Sequence, residues 1–142
     1  MPFNIRQRTL STKGLKMKKK LKILIVEDEI LTARCIYEDL KDLGTEPLKP
    51  VCRGEVAVET ALNEKPDLIL MDIRLAGKMN GIEAARKIKE KADIPVIFLS
   101  GFATDYILDK AHVVEYNEFL KKPVTINFLE PIINRFKNKR EH

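Results

Sequence analysis

Charged and hydroxyl side chains follow four short apolar runs of the sequence, each at the point where the run ends. The positions are Glu27-Asp28-Glu29, Asp72, Ser100 and Lys121-Lys122. Carboxylates bind cations, an ionised aspartate can act as a nucleophile, and a lysine neutralises anions such as phosphate. This chemistry requires the four runs to be neighbouring parallel strands, because their carboxyl ends then share one edge of a sheet. Taken singly, each position is an ordinary solvated strand end.

The run that ends at Asp72 is the clearest strand. Residues 68–71 are all apolar, are too few for an ordinary helix and follow Pro66 and Asp67, so a strand buried on both faces is predicted. Residues 21–26, 94–99 and 118–120 are the predicted strands that lead to the other three positions. Asp72 therefore lies where open α/β sheets bind their ligands.

The stretches between these strands have helical spacing of apolar residues. Helices are predicted from about residue 30 to a stop at Gly44, over 54–64, over about 82–91, over 104–113 and from about residue 127. The last helix has an apolar stripe of Phe128, Leu129, Ile132, Ile133 and Phe136. Because Pro131 cannot donate inside it, this helix either begins near Asn127, with Glu130 as a capping-box partner, or is bent at Pro131.

Residues 46–52 form one more predicted strand, which must lie at a sheet edge because Pro47 and Pro50 each remove a ladder donor. Five βα units with right-handed crossovers then give an α/β fold with a doubly wound, five-stranded parallel sheet in the order 2-1-3-4-5, which is flavodoxin-like. The first and third strands are neighbours in this order. Glu27, Asp28 and Asp72 are therefore expected to meet, and three crowded carboxylates need a cation. Mg²⁺ is expected, with Ca²⁺ as the alternative.

Length and charge indicate one domain with a basic tail. The chain has 142 residues, which is enough for a single core. Residues 1–22 hold eight Lys and Arg residues and no acid, which leaves 18 basic against 21 acidic residues, a formal charge of −3, for the rest. We expect residues 1–20 to be a disordered extension and residues 21–142 to form the domain, with direct nucleic-acid binding absent or weak.

Hydropathy and cysteine usage indicate the compartment. The sequence shows no secretory signal and no apolar run long enough to cross a membrane, so no membrane association is expected. Cys35 and Cys52 are expected to be reduced thiols in the cytoplasm, with a disulfide between them as the alternative.

Four segments of the sequence resemble the signatures of one protein family. They are Leu21-Lys-Ile-Leu-Ile-Val-Glu-Asp-Glu29, Leu70-Met-Asp-Ile-Arg-Leu-Ala-Gly-Lys-Met-Asn-Gly-Ile-Glu83, Pro95-Val-Ile-Phe-Leu-Ser100 and Phe119-Leu-Lys-Lys-Pro-Val124. In this order, over about residues 21–138, they resemble the receiver domain of two-component response regulators, in its stand-alone, chemotaxis-regulator-like form. A receiver excised from a hybrid kinase would look the same.

The resemblance implies a phosphoacceptor signalling protein rather than an enzyme. Asp72 would accept a phosphoryl group from a phosphohistidine on a sensor histidine kinase or a histidine phosphotransfer protein. Mg²⁺ would support the transfer. Its implied ligands are Glu27 (through water), Asp28, Asp72 and the backbone carbonyl of Arg74.

The resemblance also implies how the phosphoryl group is held and sensed. Ser100 would hydrogen-bond a phosphoryl oxygen, and Lys122, which precedes a cis bond to Pro123, would pair with it. Phe119 matches the aromatic switch position, with an ordinary core aromatic as the alternative. Phosphorylation would draw Ser100 inward, turn Phe119 and change the face that docks a downstream protein target.

Several positions depart from the family pattern. The loop from Asp72 to Gly81 is one residue longer than usual, Asn80 replaces a common acid, and Ser100 replaces the more frequent Thr. Arg74 and Phe102 occupy the two positions that flank the approach of water to the phosphoryl group. Since neither side chain can orient that water, slow autodephosphorylation is expected; the alternative is that both point to solvent.

Three other classes of protein share part of this pattern. A Mg²⁺-dependent aspartyl phosphatase of the haloacid dehalogenase type would need a second acid at position 74, which is Arg. A phosphate-independent binding module would be expected to lack some of the acids or Lys122, and all are present. A flavin carrier would need a phosphate-binding loop after the first strand, where this chain has acids.

Overall fold

The computed structural model of the protein describes residues 19–101 and 118–140. Within these ranges the elements are β1 (Lys22–Val26), α1 (Ile30–Asp42), β2 (Glu46–Pro47), α2 (Gly54–Glu64), β3 (Leu68–Asp72), α3 (Gly81–Lys89), β4 (Val96–Ser100), β5 (Glu118–Lys121) and α4 (Ile126–Arg140). The predicted helix over 104–113 and nearly all of the predicted N-terminal extension lie outside the described residues. No helix in the described part of the chain is both long and apolar enough to span a membrane.

The five strands form one parallel sheet in the order β2-β1-β3-β4-β5, which confirms the predicted α/β topology. All five residues of β3 are buried, because its side chains point alternately into two cores. Ile69 and Met71 pack with α2 and α3, and Leu68 and Leu70 pack with α1 and α4. The carboxyl ends of the parallel strands therefore meet at one edge of the sheet.

The edge strand β2 is shorter than predicted. The ladder covers Glu46 and Pro47, and beyond it only a single bridge joins Val51 to Val26. The amides of Glu46 and Leu48 donate to carbonyls of the β1 segment at 2.8 Å, so the backbone nitrogen of Pro47, between them, points away from β1. Because no ladder hydrogen bond is needed there, the missing N–H of proline is tolerated. The edge position is confirmed, whereas the predicted extent of 46–52 was wrong.

The helices α1 and α4, which pack on the same face of the sheet, are linked by a hydrogen bond at the C-terminal end of α1. Gly44 follows α1 with φ of 82°, a left-handed conformation that favours glycine, as expected for the predicted stop. The Lys137 ammonium of α4 donates to the Leu43 carbonyl at 2.6 Å and so satisfies a terminal acceptor of α1.

The last helix begins within one residue of its predicted start and contains Pro131, but the predicted capping box and the predicted place of Phe128 in the buried stripe were wrong. The Thr125 carbonyl accepts from the Phe128 and Leu129 amides, so the helix starts at Ile126 and Asn127 lies inside it, where it cannot form the capping box. Phe128 is 58% exposed, although Leu129, Ile132 and Ile133 are buried. Each helical residue turns by about 100°, so Phe128 sits on the flank of the buried stripe, in the first turn.

Cys35 and Cys52 are both exposed and are not joined by a disulfide. Cys35 lies in α1, as expected. Cys52 lies outside the ladder of β2 because that strand ends early.

Candidate functional site

The structure brings five of the sequence-predicted site residues to the carboxyl edge of the sheet. Glu27 and Asp28 follow β1, Asp72 ends β3, Ser100 ends β4 and Lys122 follows β5. Glu27, Asp72 and Ser100 are buried, with 2%, 3% and 2% of their surfaces exposed, whereas Asp28 is exposed. The site thus contains two buried acids, Glu27 and Asp72, and a third acid, Asp28, that is open to solvent.

The three acids form a cluster that can hold a metal ion. One carboxylate oxygen each from Glu27, Asp28 and Asp72 lies within 4.8 Å of the others. The Oε2 atom of Glu27 accepts from the Glu29 amide at 3.1 Å, and the buried Oε1 atom lies against the Lys122 ammonium group. Lys122 is shared with Asp72, so one ammonium group serves two buried acids, and carboxylate oxygens are the hard ligands that Mg²⁺ prefers. The donor set therefore fits a divalent cation.

Lys122 is the cation that the chain itself supplies. Its Nζ atom lies 2.5 Å from Glu27 Oε1 and 3.1 Å from Asp72 Oδ2. The backbone positions it, because the Lys122 amide donates to the Ser100 carbonyl at 2.9 Å. The next bond, to Pro123, is cis, as the family resemblance implied. One ammonium group thus serves two carboxylates.

The ionisation of these groups reflects their burial. Burial raises the pKa of Glu27 to about 7, although Lys122 partly offsets it. Burial also raises the pKa of Asp72, against the opposing effect of Lys122. Partial burial disfavours the charged form of Lys122, but hydrogen bonds to Glu27 and Asp72 outweigh this and raise the pKa of the lysine. Lys122 therefore stays charged at neutral pH. Its single positive charge does not balance the two buried acids, Glu27 and Asp72.

The segment after Asp72 folds back over it. A Cβ atom on Gly81 would lie 2.0 Å from the Asp72 carbonyl oxygen, so only glycine allows this approach. The Gly81 amide donates to the Ile73 carbonyl at 2.8 Å, and the Arg74 amide lies 3.3 Å from Asp72 Oδ1. These contacts hold both the carboxylate and the backbone of Asp72.

Sequence reasoning missed the role of Asn80, which it treated only as a departure from the family pattern. Its side chain accepts from the Glu83 amide, and the Glu83 side chain accepts from the Asn80 amide, each at 2.9 Å. This capping box starts α3 directly before Gly81 and so fixes the loop end beside Asp72. The spacing of Asn80 and Glu83 carried the signal.

The remaining sequence-predicted residues lie around the site. Arg74 is exposed, and Phe119 is half-buried against the core that α2 and α3 share with the sheet. Gly101 is exposed, with open space where a side chain would be. Phe102 lies outside the described residues.

Comparison with known proteins defines the class. The sequence model of the response regulator receiver domain matches residues 23–134. The chain belongs to this family and is a receiver-domain signalling protein. The strand order of the sheet and the acidic cluster at its carboxyl edge agree with this family.

Particular relatives differ in their overall length. The transcriptional regulatory protein PdtaR of Mycobacterium tuberculosis is 34% identical over 112 residues, which are 79% of this chain and 54% of PdtaR. The autoinducer 1 sensor kinase/phosphatase LuxN of Vibrio campbellii is 34% identical over 118 residues, 82% of this chain and 14% of LuxN. The chain therefore spans about half the length of PdtaR and a smaller share of LuxN.

A solved structure aligns with most of this chain. The receiver domain of the sensor histidine kinase PA1611 from Pseudomonas aeruginosa PAO1 aligns with a TM-score of 0.76 and 29% identity, over 85% of this chain and 99% of that one. That structure has a magnesium ion coordinated in its active site cleft.

Proposed function

We propose that Asp72 accepts a phosphoryl group from a phosphohistidine and that the protein thereby relays a two-component signal. The observation that carries this proposal is the placement of the buried Asp72 carboxylate 3.1 Å from Lys122 Nζ, within a three-acid cluster. An aspartate at the end of a buried strand, with a fixed cation beside it, is arranged for attack on phosphorus.

Each residue has a separate task in the transfer. Ionised Asp72 needs no general base: one of its oxygens forms the bond to phosphorus while the bond to the histidine nitrogen breaks. Lys122 pairs with the phosphoryl oxygens, and the Ser100 hydroxyl donates a hydrogen bond to one of them. Mg²⁺ held by Glu27 (through water), Asp28, Asp72 and the Arg74 carbonyl would supply further positive charge.

The test is chemical labelling with a small donor. The protein is incubated with acetyl phosphate and Mg²⁺, and the added phosphate is mapped by mass spectrometry. We expect one acid-stable, base-labile phosphoryl group on Asp72 and none when EDTA replaces Mg²⁺. Failure to incorporate phosphate, or incorporation that ignores EDTA, would refute the proposal.

We further propose that Ser100 and Phe119 form the switch. The half-buried Phe119 ring packs against the core that α2 and α3 share with the sheet, and Phe119 pairs with Phe98 between β5 and β4. Movement of Ser100 towards the phosphoryl group would let the ring turn inward and alter the surface near β5 and α4 for a downstream protein target. Residues 21–142 are proposed as the signalling unit and the cytoplasm as its compartment.

The surface around the site supports a protein phosphodonor. Among the described residues, the exposed large apolar side chains all lie in first turns of helices at the site's edge of the sheet. We call this set the apolar collar; it consists of Ile30 (80% exposed), Leu31 (75%), Val56 (41%) and Phe128 (58%). We propose that a partner that brings a phosphohistidine to Asp72 contacts some of these side chains. Exposed apolar patches mark such interfaces.

Removing part of the collar should slow transfer from a protein donor only. We expect Ile30→Ser with Leu31→Ser to slow transfer from autophosphorylated sensor kinases about tenfold or more, because apolar anchors dominate interfaces. Labelling by acetyl phosphate, which needs no docking, should stay unchanged. The matched control is Asp42→Ser at the other end of α1. An equal loss of transfer rate with both donors would mean that the site itself is damaged. An unchanged rate with the kinase would show that the collar is not part of the interface.

We propose that direct nucleic-acid binding is absent or weak. The excess of positive charge lies in residues 1–22, and the rest of the chain has a formal charge of −3. Deletion of residues 1–20 should abolish any binding to duplex DNA, as measured by fluorescence anisotropy over a salt series. Tight binding that survives the deletion with a steep salt dependence would contradict the proposal.

We propose that the phosphoryl group on Asp72 is hydrolysed slowly, because of the residue types at positions 74 and 102. Exposed Arg74 follows the Asp72 strand by two residues, and neither it nor Phe102 can orient a hydrolytic water. We expect Arg74→Asn with Phe102→Gln to speed phosphate release about tenfold, since amides can position that water. Release of radiolabelled phosphate after donor removal measures this. Equal rates, or a slower double variant, would contradict the assignment.

A further inference from the structure

The nearer partner of Lys122 is Glu27 rather than the proposed phosphoacceptor. Lys122 Nζ lies 2.5 Å from Glu27 Oε1, compared with 3.1 Å from Asp72 Oδ2. The Glu27 side chain has no exposed surface, and that of Lys122 is 20% exposed. Two buried acids therefore share one cation, and the closer contact is with Glu27.

The Glu27 carboxylate is fixed towards the lysine. Its Oε2 atom accepts from the Glu29 amide at 3.1 Å, which leaves Oε1 facing Lys122. Glutamate has one methylene more than aspartate, and this length carries the carboxylate across to the ammonium group. Asp28, in contrast, is exposed to solvent.

We propose that Glu27 is a positioning residue that holds Lys122 in the metal-free protein and releases it when a divalent cation binds the acidic cluster. The lysine and the cation with its bound water compete for the position beside Glu27 Oε1, because two positive charges near one carboxylate repel each other. Lys122 is thereby freed towards Asp72 at the stage when the phosphoryl group arrives. This inference rests on the proposed function, since it takes Asp72 as the acceptor.

A double-mutant cycle on Mg²⁺ binding tests the competition without any phosphodonor. The dissociation constant for Mg²⁺ is measured by calorimetry in the wild type, Lys122→Met, Glu27→Gln and the double variant. With Glu27 present, Lys122→Met should tighten Mg²⁺ binding about tenfold, and this gain should be at least about fivefold smaller with Gln at position 27. Equal gains in both backgrounds would overturn the proposal, because the lysine would then act only through its charge.

Two further measurements keep the test decisive. Lys121→Met removes an exposed neighbouring charge and should change the Mg²⁺ affinity less than about twofold, which sets the effect of charge alone. In the metal-free protein, unfolding by urea should show stronger coupling for the pair Glu27 and Lys122 than for Asp72 and Lys122; the reverse order would also overturn the proposal. If acetyl phosphate fails to label Asp72 while the Mg²⁺ cycle is coupled, only the proposed function fails.

Discussion

Replacing Asp72 by asparagine should reduce phosphoryl incorporation from acetyl phosphate to background. The amide has nearly the same shape as the carboxylate but lacks the anionic oxygen that attacks phosphorus. Phosphate content is measured by intact-mass spectrometry after incubation with the donor and Mg²⁺. The matched control is Asp93→Asn, which neutralises a fully exposed carboxylate and should be labelled like the wild type.

The loss of labelling in Asp72→Asn should not come from unfolding. Burial raises the pKa of Asp72, so the folded state disfavours its charge at neutral pH, and neutralising it should leave the free energy of unfolding unchanged or higher. Urea unfolding at pH 7 checks this. Label that persists in the variant on Asp28, Asp67 or a histidine would show that the acceptor is assigned wrongly.

Replacing Gly81 by alanine should damage both stability and the site. The added Cβ atom would overlap the Asp72 carbonyl oxygen at 2.0 Å and the Met71 side chain at 2.9 Å. Backbone must move to relieve this, so we expect a loss of about 2 kcal/mol or more in the free energy of unfolding. Because Asp72 itself is displaced, Mg²⁺ affinity and labelling by acetyl phosphate should both fall, about tenfold or more.

Gly101→Ala is the matched stability control for Gly81→Ala. Gly101 is exposed at the same edge of the sheet, and among the described residues a Cβ atom there would meet nothing within 4 Å. Its free energy of unfolding should change by less than about 0.5 kcal/mol. A Gly81 variant as stable as this control, with normal Mg²⁺ affinity, would show that the contact with Asp72 is not restrictive.

The sheet could be predicted because its signals are local. The apolar run before Asp72, the prolines at positions 47 and 50 and the alternation of strands and helices fix the strand order together with the handedness of crossovers. The same order places Glu27 and Asp28 beside Asp72. These relations depend on residue type and spacing, which a sequence displays directly.

Contacts that depend on how closely two segments approach could not be predicted in this way. The close approach of Gly81 to the Asp72 carbonyl and the preference of Lys122 for Glu27 depend on interatomic distances that residue type and spacing do not determine. Phe128 shows another limit, since a spacing pattern gives the face of a helix but not where the neighbouring element ends. The capping box of Asn80 and Glu83, in contrast, was readable and was overlooked.

The outward-facing Pro47 of β2 determines how the sheet behaves towards other chains. A strand from another molecule can extend a sheet only where amides and carbonyls alternate along a free edge. Here the ladder ends after two residues, Pro47 offers no amide and Pro50 follows closely. This edge of the sheet is therefore a poor template for the growth of a fibril from strands of other chains.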